Sequence, residues 1–181
     1  MSAVRLEWTS DAVVRRSIRE VEAHVAGSGW DQLPRLYALV PTSDLLAAEP
    51  QLAASLGIDA PRAAGSLTPV EQEDVPSERP LELVLQQIMW PPQVLGCAAV
   101  MERVVLPSAA EADLPDDAAE LARVLTDHPL REDVRIAAAA TRDGRAHCAV
   151  RVRTHDADDA VLDGPTLVPG LLRLLARSLE D

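Results

Sequence analysis

The chain opens with a pattern of apolar positions typical of an amphipathic helix. Apolar side chains recur at helical spacing between residues 11 and 26, and charged side chains occupy the opposite face. The recurring positions are Val14, Ile18, Val21 and Val25. Polar residues 9–11 can cap the first amide groups, and Gly27 or Gly29 can end the helix in the left-handed conformation. We therefore predict a first helix over residues 11–26.

Shorter elements punctuated by proline follow this helix. The apolar run at residues 35–40 predicts a strand, and residues 45–56 predict a short helical stretch that Pro50 kinks. Residues 58–80 are rich in proline and acidic side chains and contain few large apolar residues. Such a long connection is uncommon in a compact domain unless it is functional or disordered, so we expect an acidic loop or mobile insert here.

Two further apolar runs precede a second amphipathic helix. Residues 81–89 and residues 95–106 predict two strands, joined as a hairpin through Trp90-Pro91-Pro92-Gln93. Asp116 can cap a following helix that ends before His128-Pro129. The predicted inner face of this helix comprises Leu121, Ala122 and Leu125.

The last hairpin allows a prediction of register, because its two strands and its turn must agree. Only a three-residue loop, with Gly144 left-handed in a bulged turn, brings the apolar faces of both strands together. This register pairs Ile136 with Val150. On the polar face it places Arg135 directly opposite Arg151, whereas a slip of one residue would mix the two faces.

A final helix over residues 168–179 completes an α+β pattern. It would bury Leu171, Leu172, Leu175 and Leu179. The order helix, strand, short helix and loop, two strands, helix, two strands, helix predicts a single antiparallel sheet of about five strands with three main helices over one face. The other face would be open for a homodimer. A chain of 181 residues fits one domain, residues 1–181, that includes the acidic insert at 58–80.

The amino-acid composition of the chain excludes some classes of binding partner. The chain has 17 basic and 29 acidic side chains, a formal charge of -12, and only 2% aromatic residues. This charge repels phosphate backbones, so we expect no nucleic-acid partner. We find no signal peptide and no apolar run long enough to span a membrane, so we expect a cytoplasmic protein without a membrane partner. Cys97 and Cys148 lie far apart in apolar stretches and are interpreted as buried, unpaired residues.

Several short motifs carry a resemblance to a known family. They are Trp30-Asp31-Gln32 before RLYALVP, Trp90-Pro91-Pro92, Gly96-Cys97-Ala98, the segment at 102–107 (ERVVLP) and the segment at 167–171 (LVPGL). On these motifs the chain resembles a family of uncharacterised actinobacterial cytosolic proteins, which implies a single domain and no particular reaction. The predicted element order resembles that of the type III secretion chaperones, whose fold runs helix, three strands, helix, two strands, helix.

The polar face of the last hairpin holds the first candidate site. Arg135, Arg151 and Arg153, with His147, form what we call the arginine stripe. Like charges directly opposite each other are unfavourable, so an anion is expected among them. It can be a bound carboxylate or phosphate. The structural alternative is a counter-charge from Asp133, Glu102 or the acidic linker, or screening by water, which is more common on a charged sheet face.

Two tryptophan segments form the second candidate site, a contact with a partner protein. Trp30 and Trp90 lie at element boundaries in a chain almost without aromatic residues. Exposed tryptophans often anchor partners, but a tryptophan at a strand end can equally fill the rim of the core.

Other sequence patterns are weaker evidence for a metal site or a catalytic site. The segment 154–159 with Asp163 could offer oxygen ligands to a cation, but its spacing fits no known calcium loop, and a solvated turn is expected. His147 and Cys148 are neighbours on one strand and therefore point to opposite faces, so they cannot form a base and nucleophile pair. We expect no catalytic residue, no metal ion and no cofactor.

The sequence as a whole favours a non-enzymatic module that binds a protein or peptide, as the chaperone-like order implies. It can also associate with itself. The alternative is an enzyme or sensor that binds a small anion at the arginine stripe.

Overall fold

The computed structural model of the protein describes residues 10–55, 57–58, 65–106 and 114–180. The helices in this part of the chain are Asp11–Ala26 (α1), Thr42–Ala48 (α2), Pro50–Ser55 (α3), Leu81–Gln87 (α4), Ala118–Asp127 (α5) and Pro169–Ser178 (α6). The strands are Arg35–Pro41 (β1), Leu67–Glu71 (β2), Gly96–Val105 (β3), Glu132–Thr141 (β4), Ala146–Val152 (β5) and Leu162–Gly164 (β6). The prediction of an α+β fold with one antiparallel sheet is confirmed.

The strands form one sheet in the order β2-β1-β3-β4-β5-β6, with every neighbouring pair antiparallel. The predicted register of the β4–β5 hairpin is confirmed, because Ile136 pairs with Val150 and Arg135 with Arg151. Gly144 has φ of 85°, the left-handed conformation that the three-residue loop requires. Register was predictable here because a slip of one residue would have moved every side chain of the strand to the other face and paired apolar with polar residues.

Helix α1 covers one face of the sheet. It begins at Ser10, whose hydroxyl accepts a hydrogen bond from the Val13 amide at 3.3 Å. Its apolar side chains pack on Tyr37, Leu39 and other residues that point to this face. The predicted bounds of this helix, residues 11–26, are confirmed. We call this side of the sheet the α1 face.

Helices α4 and α6 cover the opposite face. Their buried leucines, together with Trp90, pack on alternate residues of the same strands, among them Cys97, Ala138 and Cys148. The prediction that one sheet face is open is therefore wrong, and the open face that suggested a homodimer does not exist. Both faces are buried because each strand places apolar residues on both sides, as the run of alanines in β4 illustrates.

Residues 81–89 form helix α4 and not the predicted strand, so the predicted hairpin with residues 95–106 is also wrong. Leu81 and Leu85 are buried, whereas Leu83 is 47% exposed, which is the spacing of a helix and not of a strand. The apolar run is too short to distinguish the period of a helix from that of a strand, and the sequence pattern was interpreted as a strand.

Two predicted loops contain strands. Within residues 58–80, β2 pairs with β1 at the edge of the sheet, and within the acidic loop after β5 the three-residue β6 pairs with β5. The prediction of a loop here is wrong for Leu67–Glu71. Pro69 lies inside this strand, and proline is tolerated in a strand only where its missing amide faces away from the ladder. The part of the predicted insert at residues 59–64 lies outside the described residues.

No face of helix α5 is buried in the described part of the chain. Asp117 caps it and accepts a hydrogen bond from the Glu120 amide at 3.0 Å, one residue after the predicted cap. None of its residues is buried, and it has no extensive contact with another described helix or strand. Leu121 and Leu125 of the predicted inner face are half-buried, and Ala122 is exposed.

Candidate functional site

The arginine stripe lies on the α1 face, between the sheet and helix α1. Arg135 and Arg151 oppose each other on β4 and β5, as predicted. They are only 1% and 3% exposed, so they do not form a solvated surface. Buried guanidinium groups need partners, because desolvation of a charge is costly unless another charge or hydrogen bonds compensate it.

Glu22 of helix α1 is the main partner of Arg151. Its carboxylate accepts hydrogen bonds from Nε at 2.5 Å and from Nη2 at 3.1 Å. Asp156 and Asp158 of the acidic loop accept two more, at 3.0 and 2.7 Å. These hydrogen bonds, that of Glu22 above all, raise the pKa of Arg151 above its usual value. The acidic loop was predicted as a source of counter-charge, but Glu22 was not.

Arg135 has a different environment, with fewer polar partners. Its Nη2 donates to the Gly29 carbonyl, and its guanidinium lies 4.3 Å from the centre of the Trp30 ring. Nε and Nη1 are buried without a hydrogen-bond partner in the described part of the chain. Burial lowers the pKa of Arg135, and the nearby carboxylate of Glu102, its register partner on β3, opposes that effect.

Trp30 and the residues after it attach the α1–β1 connection to the sheet. The Trp30 indole donates to Asp156 at 2.9 Å, and Arg153 lies 5.5 Å from its ring centre. Asp31 accepts two hydrogen bonds from Arg153, at 2.9 and 3.0 Å, which lower the pKa of this carboxyl group. The amides of Asp31 and Gln32 donate to Glu102 at 2.8 and 2.6 Å. Asp31 has φ of 63°, so this anchored turn holds a non-glycine residue in the left-handed region.

The stripe therefore contains more carboxylates than guanidinium groups. Six acidic side chains contact or face its three arginines: Glu22, Asp31, Glu102, Asp133, Asp156 and Asp158. This excess of negative charge would repel an added anion. The structure brings together the predicted residues Trp30, Arg135, Arg151 and Arg153, and it does so in a network that joins α1, the sheet and the acidic loop.

His147 lies apart from this network, nearer the start of α1. It is 8% exposed, and its Nε2 lies 3.8 Å from Asp163 without a hydrogen-bond partner in the described residues. Asp163 instead accepts hydrogen bonds from Arg15 and Arg19, at 3.2 and 2.6 Å. Burial lowers the pKa of His147, with Asp163 opposing the shift.

Trp90 fills the core on the opposite side of the sheet. It is 7% exposed, and its indole donates to the hydroxyl of Ser178 at 3.1 Å. The Trp90 ring therefore fills the space between α6 and the sheet and is not exposed to a partner. Trp30, in contrast, is half-buried.

The two thiols are free and buried on the face covered by α6. The Cys97 thiol lies 3.5 Å from the Leu175 carbonyl and from the Ser178 hydroxyl, and burial raises its pKa to about 12. Burial also raises the pKa of Cys148. Thiols react as thiolates, so this environment suppresses their reactivity. His147 points to the α1 face and Cys148 to the other, as predicted.

A groove of about 640 Å³ opens at the end of the sheet where β1 begins and β2 ends. Apolar side chains line it on one side, and charged side chains of both signs line the other. The apolar residues are Leu33, Pro34, Val75, Pro76 and Leu81, and the charged residues are Arg35, Glu71, Glu73 and Arg79. The sequence prediction did not identify this groove, because it depends on strand β2 and helix α4, both of which were misassigned.

Comparisons with known proteins place the chain in a family. Among the described residues, no helix is long and apolar enough to cross a membrane, and no group of three or more histidine, cysteine or acidic side chains could hold a metal ion. No curated protein and no solved structure shows significant similarity to the chain. The profile of the PPA1309-like protein family matches residues 14–180, which is nearly the whole chain. The chain therefore belongs to the PPA1309-like family.

Proposed function

We propose that the protein is a non-enzymatic, cytosolic module that binds an extended, basic segment of a partner protein in the groove at the end of β2. The observation that carries the proposal is the position of this groove beside β2, which is the edge strand of the sheet in the described part of the chain. Extended peptides are commonly bound where backbone hydrogen bonds and side-chain pockets lie next to each other.

The backbone of β2 offers hydrogen bonds to such a segment. At one end of the β1–β2 ladder the Thr42 amide donates to the Ser66 carbonyl, and at the other end the Gln72 amide donates to the Leu36 carbonyl. Because hydrogen-bonded pairs alternate along an antiparallel ladder, Leu67, Pro69 and Glu71 face away from β1, and Pro69 offers only its carbonyl. Glu71 also lines the groove, so its outward amide and carbonyl lie beside the pocket.

The apolar side of the groove provides a place for a hydrophobic side chain of the ligand. Leu33 is 68% exposed, a large apolar surface at the mouth of a concave site. Leu81 is buried and fixed in the core, so it forms a rigid floor. Burial of an apolar side chain between them would contribute about 1.5–3 kcal/mol.

The charge of the groove favours a basic ligand. Arg35 is already engaged by Gln32 and Glu71, at 2.7 and 3.6 Å, and Arg79 donates to Gln87 at 3.0 Å. Glu73 lines the groove, and Asp74 and Glu78 lie exposed on the same segment. The excess of acidic side chains would attract lysine or arginine and increase the association rate at low salt.

A display of linear peptides on the full chain, followed by fluorescence anisotropy with selected peptides, tests the proposal. We expect basic peptides with one large apolar residue, bound about tenfold more weakly by Leu33→Ser. The matched control is Met89→Ser, because Met89 is 90% exposed and does not line the groove. Failure to select any peptide, or equal loss of affinity in both variants, would exclude the groove as the binding site.

A further inference from the structure

The outer edge of β2 offers its backbone hydrogen-bonding groups unevenly. Leu67, Pro69 and Glu71 turn these groups away from β1, because the Gln72 amide donates to Leu36 and so places Gln72 on the inner side of the ladder. Pro69 has no amide, whereas Glu71 has both an amide and a carbonyl and lines the groove. A strand added to β2 would therefore be held most firmly at Glu71, beside the groove.

The charged and apolar sides of the groove lie on different faces of the sheet. Glu71 pairs with Tyr37, which belongs to the cluster under α1, so the Glu71 side chain points to the α1 face. Val75 and Leu81 pack in the opposite cluster, which α4 and α6 cover. Successive side chains of an extended ligand alternate between the two faces. The ligand residue opposite Glu71 would therefore meet its carboxylate, and the neighbouring ligand residue would meet the apolar side chains.

The Glu71 carboxylate can accept a ligand cation without leaving Arg35 unpaired. It is 42% exposed and lies 3.6 Å from Nη1 of Arg35. Arg35 also donates to Gln32 through Nη2, at the shorter distance of 2.7 Å. Opposite charges directly across an antiparallel ladder are favourable, so a lysine or arginine suits the ligand position opposite Glu71.

The direction of β2 determines the order of the two ligand residues. The strand runs from Leu67 to Glu71 and ends at the groove. An antiparallel ligand strand, which forms a more stable ladder than a parallel one, would run away from the groove. The ligand residue just before the one opposite Glu71 would then lie over the groove, whereas in a parallel strand it would be the residue just after.

From this geometry we infer that the groove selects a large apolar residue followed directly by lysine or arginine, in a segment that adds to β2 as an antiparallel strand. The inference rests on the proposed function and specifies the ligand of the same groove. Pro69 limits the strand addition to the groove end of β2, because the ligand carbonyl opposite it finds no amide.

Two synthetic peptides of about eight residues, blocked at both ends, test the order of the residues with the full chain. One has leucine followed by lysine at its centre and threonine elsewhere, and the other has the leucine and lysine exchanged. We expect the exchanged peptide to bind about tenfold more weakly in fluorescence anisotropy, although its composition and charge are the same. Equal binding of the two peptides, or tighter binding of the exchanged one, would overturn the inference.

N-methylation of single amides in the leucine–lysine peptide tests the strand pairing. Methylation of the lysine amide, or of the amide two residues later, removes a hydrogen bond to the carbonyl of Glu71 or of Pro69, and we expect about tenfold weaker binding. Methylation of the amide between them is the control, because that amide points to solvent and should tolerate the change. Equal effects at the three positions would exclude strand addition.

A variant of the chain tests the charge pair. Glu71→Gln keeps the backbone of β2 and should weaken the leucine–lysine peptide about threefold, with little effect on the same peptide carrying norleucine in place of lysine. Glu49→Gln is the matched control, because Glu49 is exposed and does not line the groove. Equal effects of Glu71→Gln on the two peptides would show that the lysine does not lie opposite Glu71, and the proposed register would be wrong.

Leu33→Ser separates a failure of this inference from a failure of the proposed function. If the peptides bind and Leu33→Ser weakens them, but neither order nor methylation matters, the groove is a binding site and the strand register is wrong. If no peptide binds, or if Leu33→Ser leaves the binding unchanged, the groove is not the site and both proposals fail.

Discussion

Glu22 compensates the charge of Arg151 inside the protein. Both side chains are almost fully buried, and their two hydrogen bonds connect α1 with β5 across 129 positions of sequence. Removal of one partner from a buried pair leaves an uncompensated charge, which costs more than the pair itself contributes.

Glu22→Ala should therefore destabilise the protein strongly. We expect a loss of about 3–5 kcal/mol in the free energy of unfolding, measured by urea denaturation. Glu20→Ala is the matched control, because Glu20 is exposed on the same helix, and it should change the stability by less than about 0.5 kcal/mol. Similar losses in the two variants would show that Arg151 finds sufficient compensation from Asp156 and Asp158.

His147 should make stability depend on pH. Because burial lowers its pKa in the folded state, the unfolded chain takes up a proton more readily than the folded protein. The stability that depends on neutral His147 is fully present above its usual pKa of 6.5. It is lost as the pH falls from there through the lower pKa that His147 has in the folded protein.

His147→Gln should reduce this loss. Urea denaturation at about pH 7 and at about pH 5 measures the effect. The control is His24→Gln, which removes an exposed imidazole from α1 and should leave the dependence in place. A wild-type protein that gains stability on acidification over this range would show that protonated His147 pairs with Asp163 and that the sign is reversed.

For single residues, the sequence predicted where the charged side chains lie better than it predicted which side chains they bind. The opposition of Arg135 and Arg151 follows from the register of one hairpin, a local relation that the apolar faces determine. The pairing of Arg151 with Glu22 depends on how α1 lies across the sheet, which no local pattern encodes. The sequence pattern assigned the charged side chains of α1, Glu22 among them, to the face away from the sheet, whereas Glu22 is buried beside Val21 and Val25.

At the scale of elements, the backbones of β3 and β4 approach each other closely at Gly96, the first residue of β3. A Cβ atom on Gly96 would lie 2.6 Å from the Ala140 carbonyl oxygen, closer than such contacts occur. The glycine is required for this close approach of two backbones and not for an unusual dihedral angle.

Gly96→Ala should destabilise the sheet by about 1–3 kcal/mol, because neither backbone can move without disturbing the ladder. Gly170→Ala is the control. A Cβ atom there meets nothing within 4 Å, and alanine favours the helix α6 in which it lies. Thermal unfolding of the two variants should therefore give shifts of opposite sign. A neutral Gly96→Ala would mean that β3 and β4 separate easily at this end.

Long elements with strong periodicity were predicted correctly, and so was the short strand β1, whereas α4, β2 and β6 were not. Helices α1 and α6 each repeat their apolar positions over several turns, and the β4–β5 hairpin has a turn that fixes its register. Helix α4 has 7 residues and fits either period. Strands β2 and β6 are recognisable only from the neighbour with which they pair, so the groove that β2 helps to form could not be predicted.

At the scale of the whole molecule, the sheet has two edges that must not pair with other copies. Strand β6 has only 3 residues, so one edge is short. On the other edge, the outward-facing position at the middle of β2 is Pro69, which has no amide to donate.

Pro69→Val should expose a continuous edge and promote self-association. We expect the average mass, measured by light scattering, to rise with protein concentration in this variant and to stay constant in Pro92→Val. Pro92 is exposed and lies outside the sheet, whereas Pro69 is half-buried at its edge. An unchanged mass for Pro69→Val would mean that other features, such as the acidic side chains that follow β2, already prevent the pairing.

The two unreactive thiols beneath α6 also make movements of this helix measurable. Cys97 contacts α6 itself, and Cys148 lies against the segment just before it. A reagent that modifies thiols can reach them only when this part of the chain lifts from the sheet, so the labelling rate follows the population of that open form. The native chain thus contains two internal probes of local opening, and no engineered cysteine is needed to time how often its last helix detaches.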